Sequence, residues 1–257
     1  MTQYISTIIA IFLMTTYLNS RSIEADTHQT TADLDGDRVV LTGDDLSSWR
    51  PDTGAWYVAG DVSLNAENNK QFVVAEGGEI LVNGLDGNTS NILSKAEYGD
   101  VRAHIEFMVP NASNSGCYFM GRYEIQILDS YGVEAPQFLD CGGIYQRWDE
   151  KRDPKGYEGH PPRVNASYPP GEWQTFDVIF RAPRFNWWGK KVENARFEEV
   201  IHNGKTIHEN VEVTGSTRAA TYDDEKSRGP LMLQGDHGPV AYRNIWIMPL
   251  EGESSHD

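Results

Sequence analysis

Polar side chains recur at strand spacing within an otherwise apolar stretch, NSGCYFMGRYEIQILDS, which covers residues 114–130. If this stretch is extended, alternation places Tyr123, Ile125 and Ile127 on one face and Glu124 and Gln126 on the other. A carboxyl group and a carboxamide are costly to bury unless they are hydrogen-bonded or lie in a cleft. A carboxyl group held in such a cleft can act as a general acid or base. The pattern is equally consistent with a concave binding face and with an ordinary solvated sheet face.

A second short strand is predicted just before this one, from Gly116 to Met120. Gly121 and Arg122 form a plausible two-residue hairpin turn between the two strands, because glycine tolerates positive φ angles. This hairpin would place Glu124 beside residues of the strand that runs from Asn114 to Met120.

Histidines provide the other candidates for proton transfer. His237 lies in the run LMLQGDHG, at the end of a predicted strand and next to glycines, where its side chain can point into a groove. Alone, a histidine in this setting is more often a turn residue than a catalyst. His160, His202 and His208 have no partner at metal-ligand spacing, and we expect them on the surface. The chain has no HExxH, P-loop, GxSxG or GxGxxG motif, so metal, nucleotide and serine-hydrolase chemistry have no motif support.

Aromatic residues suggest contact with carbohydrate. Exposed rings in loops can stack on the apolar faces of sugars, although each ring can equally be filling the core. The rings predicted in or near loops are Tyr145, Trp148, Tyr157, Trp187 and Trp188. Those predicted in strands, and therefore in the core, are Trp56, Trp173 and Trp246.

The elements that must position these side chains read as strands. The run 100–109 is the clearest, since Val101, Ala103, Ile105, Phe107 and Val109 alternate with polar residues and Met108. Asn203-Gly204 is a strong type I′ hairpin signal. Further β-type runs are 38–42, 56–59, 71–75, 79–83, 172–181, 192–202, 231–234 and 241–248, and 132–170 reads as long loops. About a dozen strands without alternating helices predict an all-β fold, a β-sandwich of two antiparallel sheets, with a barrel as the alternative.

Composition limits the kinds of binding partner and the cellular compartment that we expect for this protein. The 257 residues carry a net charge of −16 without a basic patch, which argues against nucleic acid. The apolar run from Ile5 to Tyr17 is short for a membrane span and predicts an export signal over 1–25, with an uncleaved anchor as the alternative. A linker (26–37), a single sandwich domain (38–251) and a tail (252–257) follow. The protein is therefore expected to be secreted or periplasmic, without a membrane span after signal removal. Cys117 and Cys141 can form one disulfide or remain two buried thiols.

Five ordered blocks carry a family resemblance: LTGDDLSSW, NSGCYF with RYEIQILDS, GEWQTFDVIF, HNGKTIH and LMLQGDHGPVAYRNIWIMPL. Together they resemble the bacterial family named 3-keto-disaccharide hydrolase, over about residues 41–250. The resemblance implies a concanavalin-A-like jelly-roll β-sandwich, with the site on the concave sheet that contains YEIQILD. It also implies an oligosaccharide or glycoside substrate already oxidised at C3 of the sugar.

A ketone at C3 acidifies the C2 proton, so a base can remove it, the enolate can expel the C1 substituent, and water can add to the enone. Glucanases of similar fold carry three acids in an E-x-D-x-E strand, whereas the matching positions here are Glu124, Gln126 and Leu128. The loss of two acids argues against ordinary retaining hydrolysis. The rival interpretations are an ordinary glycosidase and a non-catalytic carbohydrate-binding module.

Within this interpretation, Glu124 is the expected base, or a carboxylate ligand if a divalent metal takes part; no cofactor is otherwise implied. His237 is the expected second proton-transfer group. Asp129 is an alternative acid, although alternation places it on the opposite face. The polar residues expected to bind sugar hydroxyls or the enolate oxygen are Arg122, Asn114, Gln126 and Gln234. Tyr145 is expected to stack on the sugar or hydrogen-bond to it.

Overall fold

The computed structural model describes residues 38–250, which contain strands and no helix. None of these residues forms a helix that is long and apolar enough to cross a membrane. The predicted signal (1–25), linker (26–37) and tail (252–257) lie outside the described residues. In chain order the strands are β1 Val39–Val40, β2 Tyr57–Leu64, β3 Phe72–Val82, β4 Ile92–Leu93, β5 Val101–Met108, β6 Asn114–Phe119, β7 Tyr123–Leu128, β8 Arg147–Trp148, β9 Gly156–Tyr157, β10 Gln174–Arg181, β11 Arg184–Phe185, β12 Lys191–Glu193, β13 Ala195–His202, β14 Lys205–Val213, β15 Met232–Leu233 and β16 Ala241–Pro249.

Two antiparallel sheets form the sandwich. The larger has the order β14-β13-β10-β5-β16-β3-β2, with β1 paired to β16, and the smaller has the order β4-β15-β6-β7. The main core contains side chains from both sheets, including Phe107 and Phe176 from the larger and Phe119 and Ile125 from the smaller. The predicted two-sheet β-sandwich is confirmed.

Alternation assigned the two faces of β7 correctly. Tyr123, Ile125 and Ile127 lie in the core, and Glu124 and Gln126 lie on the opposite face. The same alternation holds on β5, where alternate residues from Val101 to Phe107 are buried and Arg102 is exposed.

The position of the turn was predicted correctly in one hairpin and was off by one residue in another. Asn203 and Gly204 have φ angles of 49° and 76° between β13 and β14, as a type I′ turn requires. Between β6 and β7 the positive angles belong to Met120 (57°) and Gly121 (64°), and the Arg122 N–H donates to the Phe119 carbonyl at 3.0 Å. The turn therefore begins one residue earlier than predicted.

One predicted break in the larger sheet is absent. The runs 71–75 and 79–83 belong to the single strand β3, and the glycines between them lie at a register shift opposite Ala59. Gly77 and Gly78 have φ angles of 82° and 96°, which other residues rarely adopt. The glycines create a β-bulge that bends the strand without ending it.

Several burial predictions were wrong. Burial is decided by tertiary contacts, and the local sequence pattern does not reveal them. His202 and His208 are buried rather than on the surface, at 0% and 3% exposure, and His160 is half-buried. Trp246 is only half-buried and stacks on His104 with 5.6 Å between ring centroids, whereas Trp56 is in the core as expected. Cys117 and Cys141 are both buried free thiols.

Candidate functional site

A pocket of about 210 Å³ opens on the face of the smaller sheet that points away from the core. Strands β6 and β7 form its floor, the residues after β15 form one side, and two loops complete the wall. Its lining residues are Asn114, Tyr118, Glu124, Gln126, Tyr145, Arg218, Ala219, Gln234 and His237.

Glu124 lies on the pocket floor with 2% exposure. Its register partner is Tyr118 on β6, which brings the two side chains onto the same face. Gly116 leaves space for the carboxyl group because it has no side chain. A Cβ atom there would lie 3.1 Å from the Glu124 Cδ and closer still to Oε1. The Glu124 backbone is fixed on both sides, because its N–H donates to the Thr217 hydroxyl at 3.2 Å and its carbonyl accepts from the Tyr145 N–H at 3.2 Å.

Burial raises the pKa of Glu124 to about 8, and the hydrogen bond from Tyr118 opposes this rise only in part. No cation contributes to the shift, so the carboxyl group is a buried acid without a charged partner. A pKa close to the operating pH allows the group both to accept and to donate a proton. Burial also raises the pKa of the Tyr118 hydroxyl, which stays protonated and can share its hydrogen with the carboxylate.

Three carboxamides surround the acid. Gln126 is 4% exposed and donates through Nε2 to the Leu139 carbonyl at 3.2 Å. The Asn114 Oδ1 is buried and has no hydrogen-bond partner among the described residues. Gln234 lies beside β6, because its backbone N–H donates to the Gly116 carbonyl at 2.9 Å. These groups can bind hydroxyl or carbonyl oxygens of a ligand, and the free Asn114 oxygen accepts a hydroxyl hydrogen.

His237 and Tyr145 stand at the edge of the pocket. The His237 side chain is 50% exposed, and its Nδ1 lies 2.6 Å from Asp236 Oδ1. A carboxylate on Nδ1 orients the ring and leaves Nε2 to exchange protons with a ligand. Tyr145 is half-buried and packs edge to face on Phe138, with ring centroids 5.7 Å apart.

Two predicted site residues lie elsewhere. Arg122 is 3% exposed and donates to the Met120 carbonyl at 2.7 Å and to the carbonyl and carboxylate of Asp224. It belongs to the hairpin turn, so the alternation of β7 does not direct it into the pocket. Asp129 follows the end of β7, and its carboxylate accepts from the Ala112 N–H at 2.9 Å outside the pocket.

Three lining residues were missed. Tyr118 shares its face with Asn114 and Gly116, so alternation along β6 could have found it. Arg218 and Ala219 come from a loop about 95 residues after the turn between β6 and β7, and no motif marks that loop.

The donor set of the pocket comprises one carboxyl group, three carboxamides and two phenols beside His237 and Arg218. Among residues 38–250, no three His, Cys, Asp or Glu side chains form a group that could hold a metal ion. Sites for Mg²⁺ or Ca²⁺ normally rest on carboxylates. As a metal ligand, Glu124 would have no second acid beside it in the lining, and the donors do not fit a resident divalent cation.

The sequence model of the 3-keto-alpha-glucoside-1,2-lyase-like domain matches residues 36–248. The chain belongs to this family. A solved structure from Parabacteroides distasonis ATCC 8503, provisionally named a glycosyl hydrolase, is 28% identical over 84% of each chain, with a TM-score of 0.60. Two further proteins of that organism with the same provisional name share the fold at a TM-score of 0.52. One is 19% identical and covers 83% of this chain and 99% of its own, and the other is 14% identical and covers 86% and 98%. A comparison with curated proteins found no significant match.

This member of the 3-keto-alpha-glucoside-1,2-lyase-like family is therefore a carbohydrate-active, glycosyl-hydrolase-like protein. Its pocket is lined by polar side chains and has a buried acid on its floor.

Proposed function

We propose that this protein cleaves 3-keto-glycosides by removing the C2 proton, eliminating the C1 substituent and hydrating the product. One observation carries the proposal. Glu124 is the only acid lining the pocket among residues 38–250, and Gln126, two positions along the same strand, is an amide. Ordinary retaining and inverting glycosidases both use two carboxyl groups. Elimination from a 3-keto sugar needs only one base, because the ketone already acidifies C2.

The steps follow from the side chains present. The Glu124 carboxylate takes the C2 proton, and the electron pair of the broken C–H bond moves onto the C3 oxygen as an enolate. The enolate then re-forms the ketone while the C1–O bond breaks, and His237 supplies a proton to the leaving oxygen. After the leaving group has departed, Glu124 exchanges its proton with solvent. Water then adds its hydroxyl to C1 of the enone and gives its other proton to His237, and C2 takes a proton from Glu124, which yields the free 3-keto sugar.

Burial suits Glu124 to the first step. A carboxylate whose pKa is about 8 binds a proton more strongly than an ordinary glutamate does. Tyr118 hydrogen-bonds to the same carboxyl group, which fixes the direction from which it meets the sugar. The carboxamides of Asn114, Gln126 and Gln234 are assigned to the ring hydroxyls.

The test is incubation with a 3-keto-glucoside and, in parallel, with the unoxidised parent glucoside. Cleavage of the keto form alone supports the proposal. Cleavage of both compounds would indicate an ordinary glycosidase, and binding of either without turnover would indicate a carbohydrate-binding module.

We also propose that the protein is exported, because residues 5–17 have the length and apolar character of a signal sequence. Expression of the full-length chain in a bacterial host, followed by fractionation and N-terminal sequencing, tests this. Full-length protein retained in the cytoplasm would contradict export.

A further inference from the structure

Arg218 is the only guanidinium among the described residues that line the pocket, and the fold holds it there on a short turn. The Thr217 N–H donates to the Arg122 carbonyl at 2.9 Å, the Arg218 N–H to the Gln146 carbonyl at 2.8 Å, and the Thr221 N–H to the Gly121 carbonyl at 3.0 Å. These three bonds attach the turn to the β6-β7 hairpin and to the loop that follows Tyr145.

The turn also contains backbone strain. Ala219 has a φ angle of 64°, which residues with a Cβ atom rarely adopt, and its side chain lines the pocket. Strained residues of this kind persist where the surrounding structure fixes them, and they cluster at functional sites. The strained turn directs Arg218 toward the pocket.

The Arg218 side chain stacks on an aromatic ring, and Glu150 interacts with it electrostatically without forming an ion pair. The Arg218 Cζ lies 4.1 Å from the centroid of the Trp148 ring. None of the ion pairs found within residues 38–250 involves Arg218, although many other arginines there are paired with carboxylates. Stacking fixes a guanidinium while leaving its N–H groups free to bind an oxygen atom.

The charge of the pocket differs from that of the whole protein. The chain carries a net charge of −16, whereas the pocket lining combines a guanidinium that forms no ion pair with an acid that is largely protonated near neutral pH. Arg218 is absent from the groups that shift the Glu124 pKa, so its charge does not favour ionisation of the acid. A pocket of this kind favours an anion, and a hydrolysable neutral glycoside carries none in its ground state.

We propose that Arg218 binds the C3 oxygen of the sugar and stabilises the negative charge that develops there when Glu124 removes the C2 proton. This inference rests on the proposed function for the reaction it serves. The electron pair released from the C2–H bond moves onto the C3 oxygen, Arg218 donates hydrogen bonds to that oxyanion, and the pair returns when the C1–O bond breaks. Fixed donors aimed at an oxygen that gains charge are a large source of catalysis.

A planar oxyanion makes this site testable without turnover. Kojic acid is a flat pyranone whose ring carries a carbonyl, an adjacent acidic hydroxyl and a hydroxymethyl group at the positions that match C3, C2 and C5 of the sugar. Isothermal titration is performed just below the pKa of its hydroxyl, where part of the ligand is ionised and Glu124 remains largely protonated. EDTA is present to remove metals, and methyl glucoside serves as the neutral ligand.

For Arg218→Gln, we expect binding of ionised kojic acid to weaken by about ten- to a hundredfold, the usual range for a charged hydrogen bond. Methyl glucoside should bind this variant and the wild type alike. Arg218→Lys should lie between them, because it keeps the charge but not the planar fork. Arg152→Gln is the matched control, since Arg152 also stacks on an aromatic ring, Tyr157 at 3.7 Å, but does not line the pocket.

Kinetics with a 3-keto-glucoside give the second readout. Losing an oxyanion donor lowers kcat by about a hundredfold or more, with little change in KM. Equal kojic acid binding by wild type and Arg218→Gln, or no preference of the wild type for the anion over methyl glucoside, would overturn the inference. If anion binding depends on Arg218 but no keto-glycoside is cleaved, the anion site stands and the proposed reaction fails.

Discussion

Two buried carboxyl groups of this protein, Asp100 and Glu124, have opposite surroundings. Asp100, the residue just before β5, has a side chain only 6% exposed and accepts hydrogen bonds from Arg184, the Ala182 N–H and Arg181. Burial raises its pKa, but these donors lower it further, so the net shift is downward. Glu124 is more deeply buried and has only the Tyr118 hydroxyl, so its pKa rises to about 8.

The difference distinguishes an acid in a structural role from one whose surroundings suit the proposed proton transfer. A buried carboxylate with cationic partners is stable in its ionised form and holds nearby strands and loops together. A buried carboxyl group without them is unstable when ionised, which the fold tolerates at a site where a proton must move. The two residues therefore make opposite predictions for stability and for activity.

The largest expected effect is the pH dependence of stability at Glu124. Its folded pKa of about 8 lies above the ordinary value of 4.5, so the folded state binds the proton more tightly than the unfolded state does. Stability is therefore lost as pH rises between these two values, by about 3 kcal/mol at pH 7. Glu124→Gln cannot ionise and should escape this loss. Chemical denaturation of both proteins from pH 4.5 to 8 measures the difference, and parallel stability curves would contradict the account.

A smaller effect is expected at Asp100. Asp100→Asn leaves Arg181 and Arg184 without their shared carboxylate and should lower the free energy of unfolding by about 2 kcal/mol, a value reduced because both arginines are partly exposed to solvent. Turnover of a 3-keto-glucoside by the folded variant should be unchanged, because Asp100 does not line the pocket. A variant of normal stability that loses activity would reverse the roles assigned to the two acids.

The smallest expected effect comes from Gly116→Ala, which displaces the Glu124 carboxyl group without removing it. The added Cβ would overlap Oε1 and lie 3.0 Å from the Tyr118 ring, so the end of the Glu124 side chain must move. Misplacement of a catalytic group should lower kcat by roughly tenfold, while the melting temperature changes little. Ala at Gly132, where an added Cβ meets nothing within 4 Å, is a control for activity, although its φ of 80° will cost some stability. Full turnover by Gly116→Ala would show that the position of the carboxyl group is not critical.

Local patterns were sufficient to predict the sandwich and the floor of the pocket. Alternation separated Ile125 in the core from Glu124 in the pocket, and Asn203-Gly204 specified its hairpin, because both signals depend on residues close in sequence. The five family blocks added the family and the fold type, and the substrate class that they imply stays a prediction.

The wall of the pocket depends on contacts between distant segments. Arg122 looked like a pocket residue because it adjoins β7, yet its side chain fixes the segment around Asp224. Arg218 reaches the pocket only because its turn bonds to the β6-β7 hairpin. His202 is buried against Phe107 and Phe176, and His208 donates to the Gly142 carbonyl in a distant loop. Local periodicity contains no information about such partners.

Cleavage of a 3-keto-glucoside in D₂O, with NMR detection of hydrogen at C2 of the product, tests the central claim most directly. Elimination and hydration by Glu124 should place deuterium at C2 during turnover, faster than exchange of the free 3-keto sugar without enzyme. Glu124→Gln should lower the rate of this incorporation by at least about a hundredfold. Cleavage that leaves the original hydrogen at C2, or undiminished incorporation by Glu124→Gln, would contradict the account.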